Sequence, residues 1–132
     1  VTTWKADDPL TVTHDGTGML IAADKKSTQS QVSLGGLAEN FSPYKEIVVE
    51  MENLGEKQEV IFRARSNESN DERTDVNQSI GKGKFTMTIP LASLVKVKLD
   101  KVTKIYFMMA NSPDTGCKIR INKITLIANK AL

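Results

Sequence analysis

Polar and apolar residues alternate with a period of two along most of the chain, the spacing that sends successive side chains to opposite faces of a strand. Leu10-Thr11-Val12-Thr13 alternates, and His14-Asp15-Gly16-Thr17-Gly18 then reads as a turn. Met19 to Ala23 is a short apolar run closed by Asp24-Lys25-Lys26, and Gln31-Val32-Ser33-Leu34 stops at Gly35-Gly36. From Glu46 to Glu52 the pattern sets Ile47, Val49 and Met51 on one face and Glu46, Glu50 and Glu52 on the other, with Val48 out of step. Val60 to Arg65 predicts Val60, Phe62 and Ala64 inside and Ile61, Arg63 and Arg65 outside. Phe85–Ile89, Lys104–Met109 and Lys118–Leu126 bring the total to about eight strands. Within Ile105-Tyr106-Phe107-Met108-Met109 the pattern favours Ile105, Phe107 and Met109 inward, with Tyr106 and Met108 facing out. Only Leu91–Leu99, after Pro90, leaves room for a turn of helix, and its alternation of Val95, Val97 and Leu99 with lysines is equally strand-like. Strands at this spacing without intervening helices predict an all-β antiparallel sandwich of jelly-roll type.

The length, 132 residues, suits one domain over residues 1–132. The chain opens at Val1, without an initiator Met, and is expected to be a segment excised from a larger protein or a mature chain. No uninterrupted apolar run approaches the roughly 18 residues of a membrane helix, and no membrane partner is expected. One cysteine, Cys117, and one histidine, His14, exclude an internal disulfide, a Cys-based metal cluster and zinc sites built on several His or Cys ligands. Residues 1–80 carry 8 Lys+Arg against 14 Asp+Glu, a net of −6, and residues 81–132 carry 10 against 2, a net of +8. Halves of opposite sign attract each other on folding, and a basic patch for an anionic polymer is the sharper alternative. The lysines at 82, 84, 96, 98, 101 and 104 alternate with apolar residues as an exposed sheet face would, and no Gly/aromatic-interleaved motif accompanies them. Nucleic acid is therefore not expected as a partner, whereas a sulfated or uronic polysaccharide suits the same lysines.

Catalysis finds few candidates. No Gly-x-Ser-x-Gly elbow presents a nucleophile, and His14 stands alone in its turn sequence. Cys117, a lone thiol far in sequence from the histidine, reads as a small half-buried hydrophobe. A glycosidase needs two carboxylates across a cleft, whereas Glu50 and Glu52 stand two apart on one strand face. Arg63, Arg65 and Tyr106 imitate part of a lyase site without its histidine. The expectation is a chain with no enzyme activity of its own.

Several segments resemble the β-sandwich carbohydrate-binding modules attached to polysaccharide-degrading enzymes. They are Tyr44–Gly55, ending in Asn53-Leu54-Gly55; Gly83–Leu91, ending in Ile89-Pro90-Leu91; and Val102–Pro113, followed by the last strand, Lys118–Leu126. Their order over roughly residues 44–128 is similar to the module-like domain preceding the catalytic barrel in agarases and related marine galactan hydrolases. The resemblance implies a non-catalytic module of a secreted or cell-surface bacterial enzyme, monomeric, that targets an attached catalytic domain to a soluble agar- or porphyran-type galactan. It also implies a structural calcium held by acidic residues near the first and last strands. Here the closing strand has Asn122-Lys123-Ile124 where relatives commonly carry an acidic residue. Asp7, Asp8 and Asp24 remain as candidate oxygen ligands, and no other cofactor is expected.

A sugar offers hydroxyls to planar bidentate side chains and apolar ring faces to aromatics. Aromatic content is 5%, too low for a flat stacking platform, so a polar groove gripping one soluble chain fits better. The candidate groove is the outward row Arg63 and Arg65, with Glu50 and Glu52 on a presumed neighbouring strand, extended by Asn67 and flanked by Tyr106 and Asn111. For Arg63/Arg65 opposite Glu50/Glu52, a cross-strand ladder of salt bridges is the structural alternative. Trp4 either caps the sandwich edge or serves as a binding aromatic. Ser66–Gln78, whose one apolar member is Val76, predicts a solvated loop, since its acids Glu68, Asp71, Glu72 and Asp75 lack the regular spacing of a calcium loop. A purely structural domain packed against a catalytic partner is the competing reading of the whole chain.

Overall fold

A computed structural model describes residues 4–15, 18–26, 29–34, 40–66, 73–110, 113 and 115–128. Among them lie ten strands: β1 (Lys5–Ala6), β2 (Thr11–Asp15), β3 (Gly18–Ala23), β4 (Gln29–Leu34), β5 (Tyr44–Asn53), β6 (Gln58–Ser66), β7 (Arg73–Ile80), β8 (Gly83–Pro90), β9 (Val102–Ala110) and β10 (Cys117–Ala128). They form two five-stranded sheets in the orders β1-β4-β9-β6-β7 and β2-β3-β10-β5-β8, with every strand pair antiparallel. This is the all-β sandwich that the alternation predicts. The inward parities are also as expected: Val60, Phe62, Ala64, Ile105, Phe107 and Met109 of one sheet meet Ile21, Ile47, Val49, Met51, Ile119 and Ile121 of the other in one buried cluster. Phe107 sits at its centre, with ring centroids 5.6 Å from Phe62 and 5.7 Å from Trp4.

Apart from the hairpins β2–β3 and β6–β7, consecutive strands cross between the sheets. β5 belongs to one sheet and β6 to the other, though only Leu54–Lys57 separates them. Such a corner strands backbone groups that the ladders no longer reach, and buried polar groups must find partners. Two buried amides supply them. Asn53 Nδ2 donates to the Glu56 carbonyl (2.7 Å) and the Ile80 carbonyl (3.1 Å), while its Oδ1 accepts from Gly55 N (3.0 Å). Gln58 Nε2 donates to the carbonyls of Glu59 (2.6 Å) and Ala110 (2.8 Å). The two side chains thus tie the ends of β5 and β6 to β7 and β9. Ser66, also buried, accepts the Lys98 N–H at 2.9 Å and anchors the connection before β9.

The structure corrects two expectations and decides a third. Half of the expected loop Ser66–Gln78 is strand: β7 pairs with β6 from Gln58↔Ile80 to Arg65↔Arg73. It is an edge strand whose inward positions Thr74, Val76 and Gln78 are only half-buried, so polar residues are tolerated there. His14 lies within β2 opposite Met19, not in a turn. Leu91–Leu99 is not a strand; the turn of helix for which it leaves room is of 3-10 type, at Leu91–Ser93 and Leu99–Lys101, with Leu91, Leu94 and Val97 buried and the lysines between them exposed.

Gly116 precedes β10 at φ +100°, and a Cβ there would drive into the Ala23 carbonyl. Gly116→Ala is expected to destabilise the domain by about 3 kcal/mol, adding left-handed strain to overpacking. Urea unfolding measures this, and a loss under about 1 kcal/mol would contradict the packing described. The neighbouring Cys117 is 8% exposed, and burial raises its thiol above the ordinary value, opposed by a backbone hydrogen bond from Ala23. The folded protein should therefore react with iodoacetamide at pH 8 far more slowly than the same chain in guanidinium, with the folded rate rising only at higher pH.

Candidate functional site

The outward face of the β1-β4-β9-β6-β7 sheet gathers the polar chemistry. Antiparallel register runs one row across all five strands: Lys5, Ser33, Tyr106, Arg63 and Asp75. On one side of it Lys104 stands opposite Arg65, and Arg65 opposite Arg73 in backbone register. On the other side lie Gln31, Met108, Ile61 and Asn77. The rows enclose a hollow of about 270 Å³ lined by Asp7, Gln31, Ser33, Arg63, Arg65, Lys104 and Tyr106.

Tyr106 is the floor of this hollow and is only 6% exposed. Its ring lies under three cations: Lys104 Nζ is 4.9 Å, Arg63 Cζ 5.7 Å and Arg65 Cζ 5.9 Å from the ring centroid. A cation over an aromatic face is attracted by the ring quadrupole, so one tyrosine holds three positive groups close together. Arg63 is fixed further by Asp75, with Nε to Oδ1 at 2.7 Å and Nη2 to Oδ2 at 2.9 Å. These hydrogen bonds hold the guanidinium above its ordinary value against the opposing effect of burial, and the Asp75 charge and Tyr106 add to the rise. The Gln31 Oε1 is buried without a hydrogen-bond partner among the described residues, a lone pair that a bound hydroxyl would satisfy. The arrangement presents planar N–H donors and an ammonium above a ring, rather than an open ring face.

Of the expected site residues, Arg63, Arg65 and Tyr106 meet in this hollow, with Tyr106 on the outward parity read from the sequence. Glu50 and Glu52 do not join them. β5 lies in the opposite sheet, where Glu50 faces Thr86 and Lys123, and Glu52 faces Lys84 and Arg120; the salt-bridge ladder with Arg63 and Arg65 fails for the same reason. Trp4 packs against Phe107 at the core margin, in its edge-capping role, and lines a separate hollow with His14, Lys123 and Ile124. Asn67 and Asn111 lie outside the described residues. Asp7, Asp8 and Asp24 are not grouped together. Asp7 borders the cationic hollow, the backbone carbonyl of Asp8 accepts the Ser30 hydroxyl at 2.9 Å, and Asp24 lines a hollow of about 610 Å³ beside Cys117. Among the described residues no three His, Cys, Asp or Glu side chains are grouped to share a metal ion. Sequence reading missed Gln31 and Ser33 and named Lys104 only among the lysines suited to an anionic polysaccharide, although each shares Tyr106's outward parity once the strands are placed in register.

No family model matches the sequence, and no curated protein matches it. Solved structures do. A family 11 carbohydrate-binding module from Clostridium thermocellum, in complex with a β-1,3-1,4-mixed-linked tetrasaccharide, aligns with TM-score 0.72 and 19% identity over 96% of this chain and 88% of that one. A carbohydrate-binding module specific for non-crystalline cellulose aligns with TM-score 0.64 and 9% identity, covering 95% and 87%. The agarase AgWH50C aligns with TM-score 0.77 and 11% identity over 98% of this chain but only 23% of its own length. The fold is therefore the β-sandwich common to carbohydrate-binding modules and to a domain-sized part of an agarase.

Proposed function

We propose that this domain is a non-catalytic carbohydrate-binding module that holds one soluble polysaccharide chain on the outward face of the β1-β4-β9-β6-β7 sheet. The observation that carries the reading is the hollow over Tyr106, where Arg63, Arg65, Gln31 and Ser33 converge. Guanidinium groups pair with vicinal hydroxyls through parallel N–H donors, the geometry by which they pair with carboxylates. Serine and glutamine add donors and acceptors of the kind a sugar edge requires. The favoured chain is an agar- or porphyran-type galactan, and the role is to concentrate an attached glycoside hydrolase, secreted or at the bacterial surface, on that substrate. The similar fold within an agarase supports this choice of polymer.

A polysaccharide panel in affinity electrophoresis, followed by titration calorimetry on each retarding glycan, tests the reading. At least one soluble glycan should retard the protein. Arg63→Ala should weaken binding about tenfold or more, the scale of losing a charged hydrogen bond. Tyr106→Leu should weaken it as well, because the cations lose their common floor. Retardation should survive EDTA, since among the described residues no three acidic side chains are grouped at the hollow. If no glycan retards the domain, it is instead a structural sandwich packed against its catalytic neighbour.

A further inference from the structure

An unpaired acceptor in the hollow over Tyr106 bears on which sugar edge it takes, and this step rests on the glycan-binding proposal above. Arg63, Arg65 and Lys104 line the hollow with groups that only donate. A donor reaches a free hydroxyl, a methyl ether and an ester oxygen alike, because all three offer lone pairs. These cations therefore do not distinguish a free hydroxyl from a substituted one. Ser33 and Tyr106 are equally tolerant, since a hydroxyl rotates to donate or accept. Discrimination needs an atom that only accepts. Of the described residues lining the hollow, Asp7 and Gln31 carry one. Asp7 is exposed, and water already satisfies its carboxylate.

Gln31 is in a different position. Its backbone carbonyl is pinned by the Asp7 N–H at 2.9 Å, and across the ladder it faces Met108, whose thioether has no donor to offer. Its Oε1 is closed off from solvent and takes no hydrogen bond. Such an atom loses its hydration without replacement, so the folded domain carries it at a cost. Gln58 Oε1 is unpaired too, but Gln58 lies at the corner between the sheets and lines none of the hollows described above. Departures from polar satisfaction are expected where a ligand is served. The last torsion of a glutamine is broad, so the amide can turn its oxygen to a donor set down in the hollow.

We infer that Gln31 is the specificity-determining residue of the hollow, its Oε1 accepting a hydrogen bond from one free hydroxyl of the bound glycan. The hollow accordingly selects an unsubstituted sugar unit and rejects the same unit methylated or esterified at that oxygen.

The probe is a tetrasaccharide, from agar or from whichever glycan of the electrophoresis panel retards the protein most. Derivatives are made in which each hydroxyl in turn is replaced by hydrogen or capped as its methyl ether, and titration calorimetry compares them with the parent. At one position both changes should weaken binding about tenfold or more and to a similar extent, since each removes the donated hydrogen. Where a cation reads the oxygen, the methyl ether should bind better than the deoxy sugar. Gln31→Met keeps the length of the side chain without its amide, and the paired loss should vanish in it. The same variant should unfold at an unchanged or higher urea concentration, because a costly buried group has gone. Gln31→Glu keeps an acceptor at the same reach and should retain the loss. The inference is overturned if no position shows the paired loss or if Gln31→Met keeps it. A lowered urea midpoint in Gln31→Met also overturns it, as the mark of an amide that supports the fold. In all three cases the parent tetrasaccharide still binds the unmutated domain, and the glycan-binding reading stands. If no glycan retards the domain at all, that reading fails and the inference falls with it.

Discussion

Everything on the outward face depends on the burial of Phe107. Its ring, fully enclosed between Phe62 and Trp4, fixes the register of β9 against its neighbours, because a slip by one residue would turn Phe107 to the outer face and Tyr106 into the core. With Phe107 inside, Tyr106 must stand outside, and β6 and β4 in register bring Arg63 and Ser33 alongside it. The core thus determines the site through the two-residue period of the backbone. The same parity leaves Tyr106 buried although it faces outward: long side chains from adjacent strands close over it.

The second constraint is the passage of the chain between sheets. Asn53 and Gln58 are fully buried amides at the facing ends of β5 and β6, each bonded to backbone carbonyls of other strands. A polar side chain in such a place would be costly if unsatisfied, since a buried donor without a partner loses the full free energy of its hydration. Asn53 is bonded through both its amide nitrogen and its oxygen, and Gln58 through its amide nitrogen, and these bonds make the corner specific: the carbonyls of Ile80 and Ala110 must arrive at the right positions. This is how two consecutive strands, four residues apart, come to lie in different layers.

That corner also marks where sequence reading stopped. The interior parities of β5, β6 and β9 were legible because their alternation involves large apolar residues whose burial dominates the local energetics. The two-residue β1 is too short to leave a period, and β7 was read as loop because an edge strand carries polar residues on its inner side. The short connection Leu54–Lys57 reads as a hairpin, and nothing in it announces a change of sheet. Glu50 and Glu52 were therefore set beside Arg63 and Arg65, when their cross-strand neighbours include Lys84, Lys123 and Arg120. The partner of Arg63 is Asp75, on the polar edge strand β7, whose sequence shows no apolar alternation. Lys104, in sequence one of a cluster of lysines, is set apart from the others by the pairing of β9 with β6, which places it opposite Arg65.

The paired guanidinium of Arg63 has a thermodynamic consequence. An arginine on an open surface samples many rotamers, and ordering such a side chain on association costs about 0.5–1.5 kcal/mol. Arg63 is already held at both ends, by two hydrogen bonds to Asp75 and by the ring beneath it. Much of that ordering is thus complete once the chain has folded. A rigid partner meeting this rigid surface would leave little disorder to lose on either side, so encounter and fit would be nearly one event.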